Sequence, residues 1–175
     1  MEKTLDLQFE TGLRLLAEKT GMSDLNARKP LLPHVVRVGS FLYKKGYADT
    51  IVLGGLLHDA LEWTDITAGE LKEQFGADVL RIVKACTKDD SITDPQEKTN
   101  ELITRCVVAG EEALIVKTAD ILDSYYYYAK VNNQDQLAYC NRNAKAILSM
   151  KTVDMEDVIF MELEQTYKTH AAYSA

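Results

Sequence analysis

Leu56-Leu57-His58-Asp59-Ala60-Leu61-Glu62 is the stretch on which the reading of this chain turns. Just before it, Ile51, Val52 and Leu53 extend the apolar pattern around almost the whole helical wheel, so residues 48–63 read as one buried helix. A His-Asp pair with a glutamate three residues on has no place there unless those groups are partnered, because unpaired buried charge is very costly. Metal coordination is one of the few arrangements that offsets the cost. The chain has three histidines, and one of the others, His34, stands in an earlier apolar helical segment. A further acid, Asp120, interrupts the apolar run Ile115-Val116-Lys117-Thr118-Ala119-Asp120-Ile121-Leu122. Two imidazoles and two carboxylates form a mixed nitrogen and oxygen set suited to a divalent transition ion such as manganese, iron or zinc.

Outward from that stretch the pattern is helical nearly throughout. Leu5, Phe9, Leu13 and Leu16 recur at helical spacing. Residues 22–33, with Ser23, Asp24, Asn26, Pro30 and Pro33, read as a loop. Pro33 falls in the first turn of a helix that carries His34, Val35, Val38, Phe41 and Leu42 as far as Gly46. Thr67 with Glu70 three residues on spells a capping box for a helix that stops near Gly76, and another helix follows over 77–86. Asp94, Pro95 and Glu97 mark a further helix start. Residues 111–130 form the helix with Asp120, and two more are expected over 133–151 and 154–168. No strand-period alternation of any length and no internal repeat is present. The fold class is therefore all-α, and 175 residues form most simply one domain, 1–175.

Composition narrows the function classes. Twenty-seven acidic against 20 basic residues give a net charge of −7, which disfavours nonspecific nucleic-acid binding and an anionic membrane surface. A nucleotide held in a local basic pocket stays open. Cys86, Cys106 and Cys140 are odd in number and contain no C-x-x-C pair, so they read as reduced core residues of a cytoplasmic protein rather than a zinc ribbon or a disulfide framework. Met1-Glu2-Lys3 leads into an amphipathic segment, unlike a signal peptide. No apolar run approaches the roughly 20 residues of a membrane span.

The order His34, His58-Asp59 and Asp120 on helices, with Glu62, resembles the HD superfamily of metal-dependent phosphohydrolases. The likeness is closest to the ppGpp-hydrolase branch, the hydrolase domain of RelA/SpoT enzymes and their small stand-alone relatives. It spans about residues 28–140 and leaves C-terminal helices over 133–170. It implies a single-domain helical bundle in which three helices converge on one metal ion held by His34, His58, Asp59 and Asp120. With only His170 left over, and that near the C-terminus, a mononuclear site follows, and His170 reads as a solvated surface residue. Manganese is the first choice of ion, with iron, nickel and zinc as alternatives.

The same resemblance places the other site residues. Glu62 falls where the family carries a Glu-Asp pair, but Trp63 follows it here, so Asp65 is the substitute acid. Both are expected to orient or deprotonate the attacking water. Arg28-Lys29 before Pro30-Leu31-Leu32-Pro33-His34 is similar to the family's Arg-Lys then Pro-Tyr-Ile-x-His, with Leu31 for the tyrosine, and makes Arg28 a substrate contact. Thr87-Lys88-Asp89-Asp90 is similar to Thr-Asp-Asp-Lys, with Asp90 for the lysine and Lys88 as a shifted stand-in. The segment from Lys117 to Ser124 is similar to Lys-Leu-Ala-Asp-x-Leu-x-Asn, and brings Lys117 and Ser124 into the expected substrate site. Tyr139 resembles a pocket tyrosine of the following helix. The run Tyr125, Tyr126, Tyr127 and Tyr128 covers every face of a helix and divides between core and surface.

The resemblance implies hydrolysis of a nucleotide or related phosphate ester by metal-bound hydroxide attacking phosphorus. Removal of the 3′-pyrophosphate of ppGpp is one candidate and a nucleoside-monophosphate phosphatase another. Trp63 and Asp90 keep an alternative alive, a degenerate HD domain that binds metal and nucleotide as a sensor. A helical interaction protein with a fortuitous His-Asp set is the third class. The apolar segment Val158-Ile159-Phe160-Met161 is a candidate homodimer surface.

Overall fold

Among the described residues of the computed structural model, 4–20 and 29–171, every regular element is a helix. In chain order they are α1 (Leu5–Lys19), α2 (Leu31–Lys44), α3 (Asp49–Leu57), α4 (Ala60–Trp63), α5 (Ala68–Cys86), α6 (Pro95–Ala109), α7 (Glu111–Lys130), α8 (Gln134–Met150) and α9 (Val158–Ala171). None of them is long and apolar enough to cross a membrane.

Capping chemistry sets several of these boundaries. The Thr67 hydroxyl accepts from the Glu70 amide at 3.2 Å, and Glu70 returns an acceptor to the Thr67 amide at 2.8 Å, so the capping box opens α5 as its sequence foretells. Asp94 accepts from the amides of Gln96 and Glu97 ahead of Pro95 and starts α6. Inside α5 the chain breaks at Gly76 (φ 90°, ψ 172°), a conformation open to glycine and strained for other residues. The expected stop and restart there is thus present. The last helix begins at Val158 rather than 154, because Asp157 is the acid that caps it: Asp157 accepts from the Ile159 amide and from the Tyr47 hydroxyl.

One expected helix is two. The run read as continuous over 48–63 ends as α3 at Leu57, turns through His58 and Asp59, and resumes as α4. Asp59 sits at φ −97°, ψ 0°, the bridge region common in turns and at active sites. A regular helix sets neighbouring side chains about 100° apart. His58 keeps helical angles (φ −57°, ψ −29°), so the departure is confined to Asp59.

Two helices carry the core. Every residue of α3 from Ile51 to Leu57 is buried, and the helix packs on α1, α2, α5 and α7. The longest helix, α7, packs on α2, α3, α5, α6, α8 and α9. Gly54 and Gly55 let neighbours come close to α3. A Cβ on Gly54 would lie 2.7 Å from Ile82 Cγ2, and one on Gly55 would overlap Leu42 Cδ1. All three cysteines are free and buried. The tyrosine run divides as its sequence suggests: Tyr125 and Tyr128 are buried and Tyr126 is exposed.

Two expectations at the C-terminal end are corrected. His170 is not simply solvated; its ring stacks on Tyr125, with centroids 4.9 Å apart and planes 13° apart. The segment 158–161 does not form a continuous apolar surface, since Ile159 and Phe160 turn into the core and only Val158 and Met161 are exposed.

Close approach of α2 to α3 makes Gly55→Val costly, by about 1–3 kcal/mol. Exposed Gly69, whose nearest neighbour to an added Cβ is 3.7 Å away, tolerates Gly69→Ala or gains up to about 1 kcal/mol. Thermal melting of the two variants checks this; a Gly55→Val protein that melts with the wild type would show that the close approach is dispensable.

Candidate metal centre

His34 comes from α2, His58 and Asp59 from the turn between α3 and α4, and Asp120 from the middle of α7. These elements pack directly on one another, so the four side chains meet inside the bundle. His34 Nε2 lies 3.1 Å from His58 Nε2 and 3.1 Å from Asp120 Oδ1. His58 Nε2 is 3.7 Å from the same carboxylate oxygen. Asp59 faces both rings, with Oδ1 3.5 Å from His58 Nε2 and Oδ2 3.7 Å from His34 Nε2. The structure therefore brings His34, His58 and Asp120 to one point, with Asp59 facing the two rings from the turn.

The ring orientations follow from the hydrogen bonds on their far sides. His58 Nδ1 lies 2.7 Å from the Gly55 carbonyl, which only accepts, so Nδ1 carries a hydrogen. His34 Nδ1 lies 2.6 Å from Asp123 Oδ2, and its Nε2 lies 3.0 Å from the Lys29 ammonium, which only donates. His34 Nε2 thus presents a lone pair. Directing ring nitrogens and carboxylate oxygens at one point is unfavourable unless positive charge sits among them. That donor set, nitrogen with oxygen, fits a divalent ion.

Positive charge on the chain itself meets part of the demand. Lys117 donates to Asp120 Oδ2 at 2.7 Å. Lys29 donates to Ser124 Oγ at 2.7 Å and lies 3.5 Å from Asp120 Oδ1. Burial alone would raise the Asp120 pKa, but the Lys117 and Lys29 charges outweigh it and hold the carboxyl well below its usual range. Burial likewise opposes ionisation of Asp59, and the His58 and Lys88 charges bring its pKa down to about 2. For His58, burial lowers the pKa, while the Asp59 charge and a hydrogen bond to Asp120 raise it further, up to about 9.

The remaining expected residues divide. Glu62 accepts from the Lys88 ammonium at 2.7 Å and from the Lys88 amide at 3.2 Å. Both line a pocket of about 550 Å³ with Leu61, Thr87, Asp89 and Asp90. Lys88 also lines a second cleft of about 190 Å³ between α6 and α8, together with Tyr139, Lys98 and Arg142. Lys117 and Ser124, expected at the substrate, are each 1% exposed and turn to Asp120 instead. They lie three residues before and four after Asp120 on α7, the spacing that shares one helix face, so they support the ligand rather than face the pocket. Asp65 is exposed beyond α4 and makes no hydrogen bond or ion pair among the described residues. Arg28 lies outside the described residues.

Three residues of the centre escaped the sequence reading. Besides Lys29, they are Asp123 and Arg37. Arg37 donates from Nε to Asp123 Oδ1 at 2.6 Å and from Nη2 to Oδ2 at 2.9 Å. Burial would raise the Asp123 pKa, but the bonds from His34 and Arg37 prevail and lower it. The available signal was spacing: Arg37 follows His34, and Asp123 follows Asp120, by one helical turn.

Because the folded His58 pKa is raised, the ring holds a proton at neutral pH that an incoming metal displaces. Metal affinity therefore rises with pH, by up to about tenfold per unit, and levels off above pH about 9. Manganese titrations across that range check the slope; an affinity indifferent to pH would show that no proton is displaced.

Comparison with known proteins identifies the family and the fold. A family model described as HD domain matches residues 13–147. A guanosine-3′,5′-bis(diphosphate) 3′-pyrophosphohydrolase of Aquifex aeolicus is 30% identical over 119 residues, which cover 67% of this chain and 17% of that protein. The enzyme of the same name from Mus musculus, MESH1, is 35% identical over 95 residues, 53% of this chain and 52% of its own. The chain thus spans about half, or less, of the length of these curated relatives. A solved structure described as a metazoan ortholog of SpoT that hydrolyses ppGpp superposes with a TM-score of 0.70 over 97% of both chains at 19% identity, a shared fold.

Proposed function

The chain belongs to the HD-domain family, and from that premise we propose that it is a metal-dependent phosphohydrolase whose substrate is a nucleotide of the ppGpp type. The observation that carries the reading is the meeting of His34, His58, Asp59 and Asp120 next to helix α4, whose Glu62 opens onto a pocket. The names of the relatives, 3′-pyrophosphohydrolases of guanosine bis(diphosphate), supply the substrate class.

A bound divalent ion, with manganese as the proposed one, would lower the pKa of a coordinated water and polarise a phosphoryl oxygen. Everything else falls to the chain. His34 and His58 present ring nitrogens whose orientation is fixed from behind, so the ligand geometry needs little rearrangement. Glu62 is the base that takes the proton as the water oxygen bonds to phosphorus and the phosphorus bond to the leaving oxygen breaks. Lys88 holds Glu62 in place and puts a cation on the pocket wall where phosphate charge must be met. Lys98 and Arg142, with the Tyr139 ring, line the α6–α8 cleft beside Lys88 and meet the rest of the substrate. The protein acts on this small molecule in the cytoplasm.

A second reading has its own support. Trp63, 60% exposed, stands where the family's second acid would be, and Asp90 is paired to Lys98 at 3.0 Å. A domain that binds metal and nucleotide as a sensor, with little turnover, is consistent with both.

A manganese-supplemented screen for release of phosphate and pyrophosphate from nucleotides, ppGpp included, decides between them. Wild-type protein is expected to release product, the double variant His58→Ala/Asp59→Ala to lose it, and Glu62→Gln to lower kcat by about 10²–10⁴. A protein that holds stoichiometric manganese and releases nothing would make the sensor reading the correct one.

A further inference from the structure

We propose that Asp123, anchored by Arg37, is a positioning residue that fixes the His34 ring with its Nε2 lone pair toward the ion and thereby sets how tightly the site holds a divalent metal. The inference rests on the metal reading of the site, and goes beyond it by naming the groups that tune it.

Two helices supply the device in matching register. His34 and Arg37 lie one turn apart on α2, and Asp120 and Asp123 lie one turn apart on α7. Where the helices pack, His34 faces both acids: Nε2 is 3.1 Å from Asp120 Oδ1, and Nδ1 is 2.6 Å from Asp123 Oδ2. One acid is therefore a candidate ligand and the other stands behind the ring. Both oxygens of Asp123 are engaged by groups on the far side of the ring from Asp120. Oδ1 is taken by Arg37 Nε and Oδ2 is shared between Arg37 Nη2 and His34 Nδ1.

A carboxylate behind Nδ1 does two things to an imidazole ligand. It keeps the hydrogen on Nδ1 and the lone pair on Nε2, and it makes the ring a stronger donor. Independent contact geometry agrees with that tautomer, since the Lys29 ammonium approaches Nε2 at 3.0 Å and can only donate. Arg37 grips the carboxylate with two parallel bonds, which fixes its plane as well as its charge. His58 is held differently, by the backbone carbonyl of Gly55. Its support is neutral and cannot be deleted by mutation, whereas the support of His34 is charged and can.

The test reads metal binding and ring chemistry rather than turnover. Manganese is titrated into the metal-free full chain, with free ion followed by electron paramagnetic resonance, for wild type, Asp123→Ala, Arg37→Met and Arg37→Lys. Asp123→Ala is expected to weaken manganese binding about 10- to 100-fold. Arg37→Met should weaken it less, and Arg37→Lys should recover part of that loss. In proton–nitrogen spectra of the imidazoles, a downfield Nδ1–H resonance of His34 should be present in wild type and lost in Asp123→Ala. Should the alanine variant not fold, Asp123→Asn keeps the volume and is read the same way. Wild-type affinity in a folded Asp123 variant overturns the positioning role alone. A wild-type chain that takes up no manganese overturns the metal reading, and this role with it.

Discussion

Asp120 is a carboxylate buried at the crossing of α2, α3 and α7, and the interior is arranged to keep it charged. An isolated ionised carboxyl in such a place would cost several kcal/mol. Lys117 from its own helix, Lys29 from the entrance to α2, and the rings of His34 and His58 surround it. Lys117, His34 and His58 are themselves buried polar groups that would be costly alone. The cluster is therefore stable only as a set. Removing any member leaves the others short of a partner, which ties the bundle's stability to the integrity of its centre.

The interruption at His58 and Asp59 shows how backbone and chemistry are matched. The chain leaves regular helical geometry at Asp59, between the buried run of α3 and the short helix α4. Ending α3 at Leu57 costs intrahelical hydrogen bonds. Hydrogen bonding resumes at once, since the Glu62 and Trp63 amides both bond to the Asp59 carbonyl. The break also aims α4 so that Glu62 meets Lys88 at the end of α5. A local departure from regular structure thus falls at two candidate ligands, just ahead of one candidate base.

Much of this was legible in the sequence, for identifiable reasons. Helix starts at Thr67 and Asp94 depend on side chains within a turn of the backbone they cap, so the signal is local and complete. The four candidate ligands stood out because polar groups in apolar helices need partners. What the sequence could not supply was direction. Lys117 and Ser124 lie in a segment similar to a substrate-contacting one, yet only the packing of α7 shows that their side chains turn inward to Asp120. Asp123 and Arg37 each stand one turn after a candidate ligand, but their meeting depends on how α2 lies against α7, which no short-range pattern encodes. The break at His58 was hidden because the apolar pattern continues on both sides of it and no glycine or proline stands at the break itself.

Lys88 has one ammonium and two cavities to serve. In the structure it is given to Glu62 on the side of the larger cavity. An anion that draws it toward the α6–α8 cleft takes it from that carboxylate, so occupancy of one cavity is linked to the charge state of the other. Such linkage is reciprocal: an anion in the cleft and the Glu62 carboxylate each weaken the other's hold on the shared cation by the same factor, and the two cavities behave as a coupled pair rather than as independent sites.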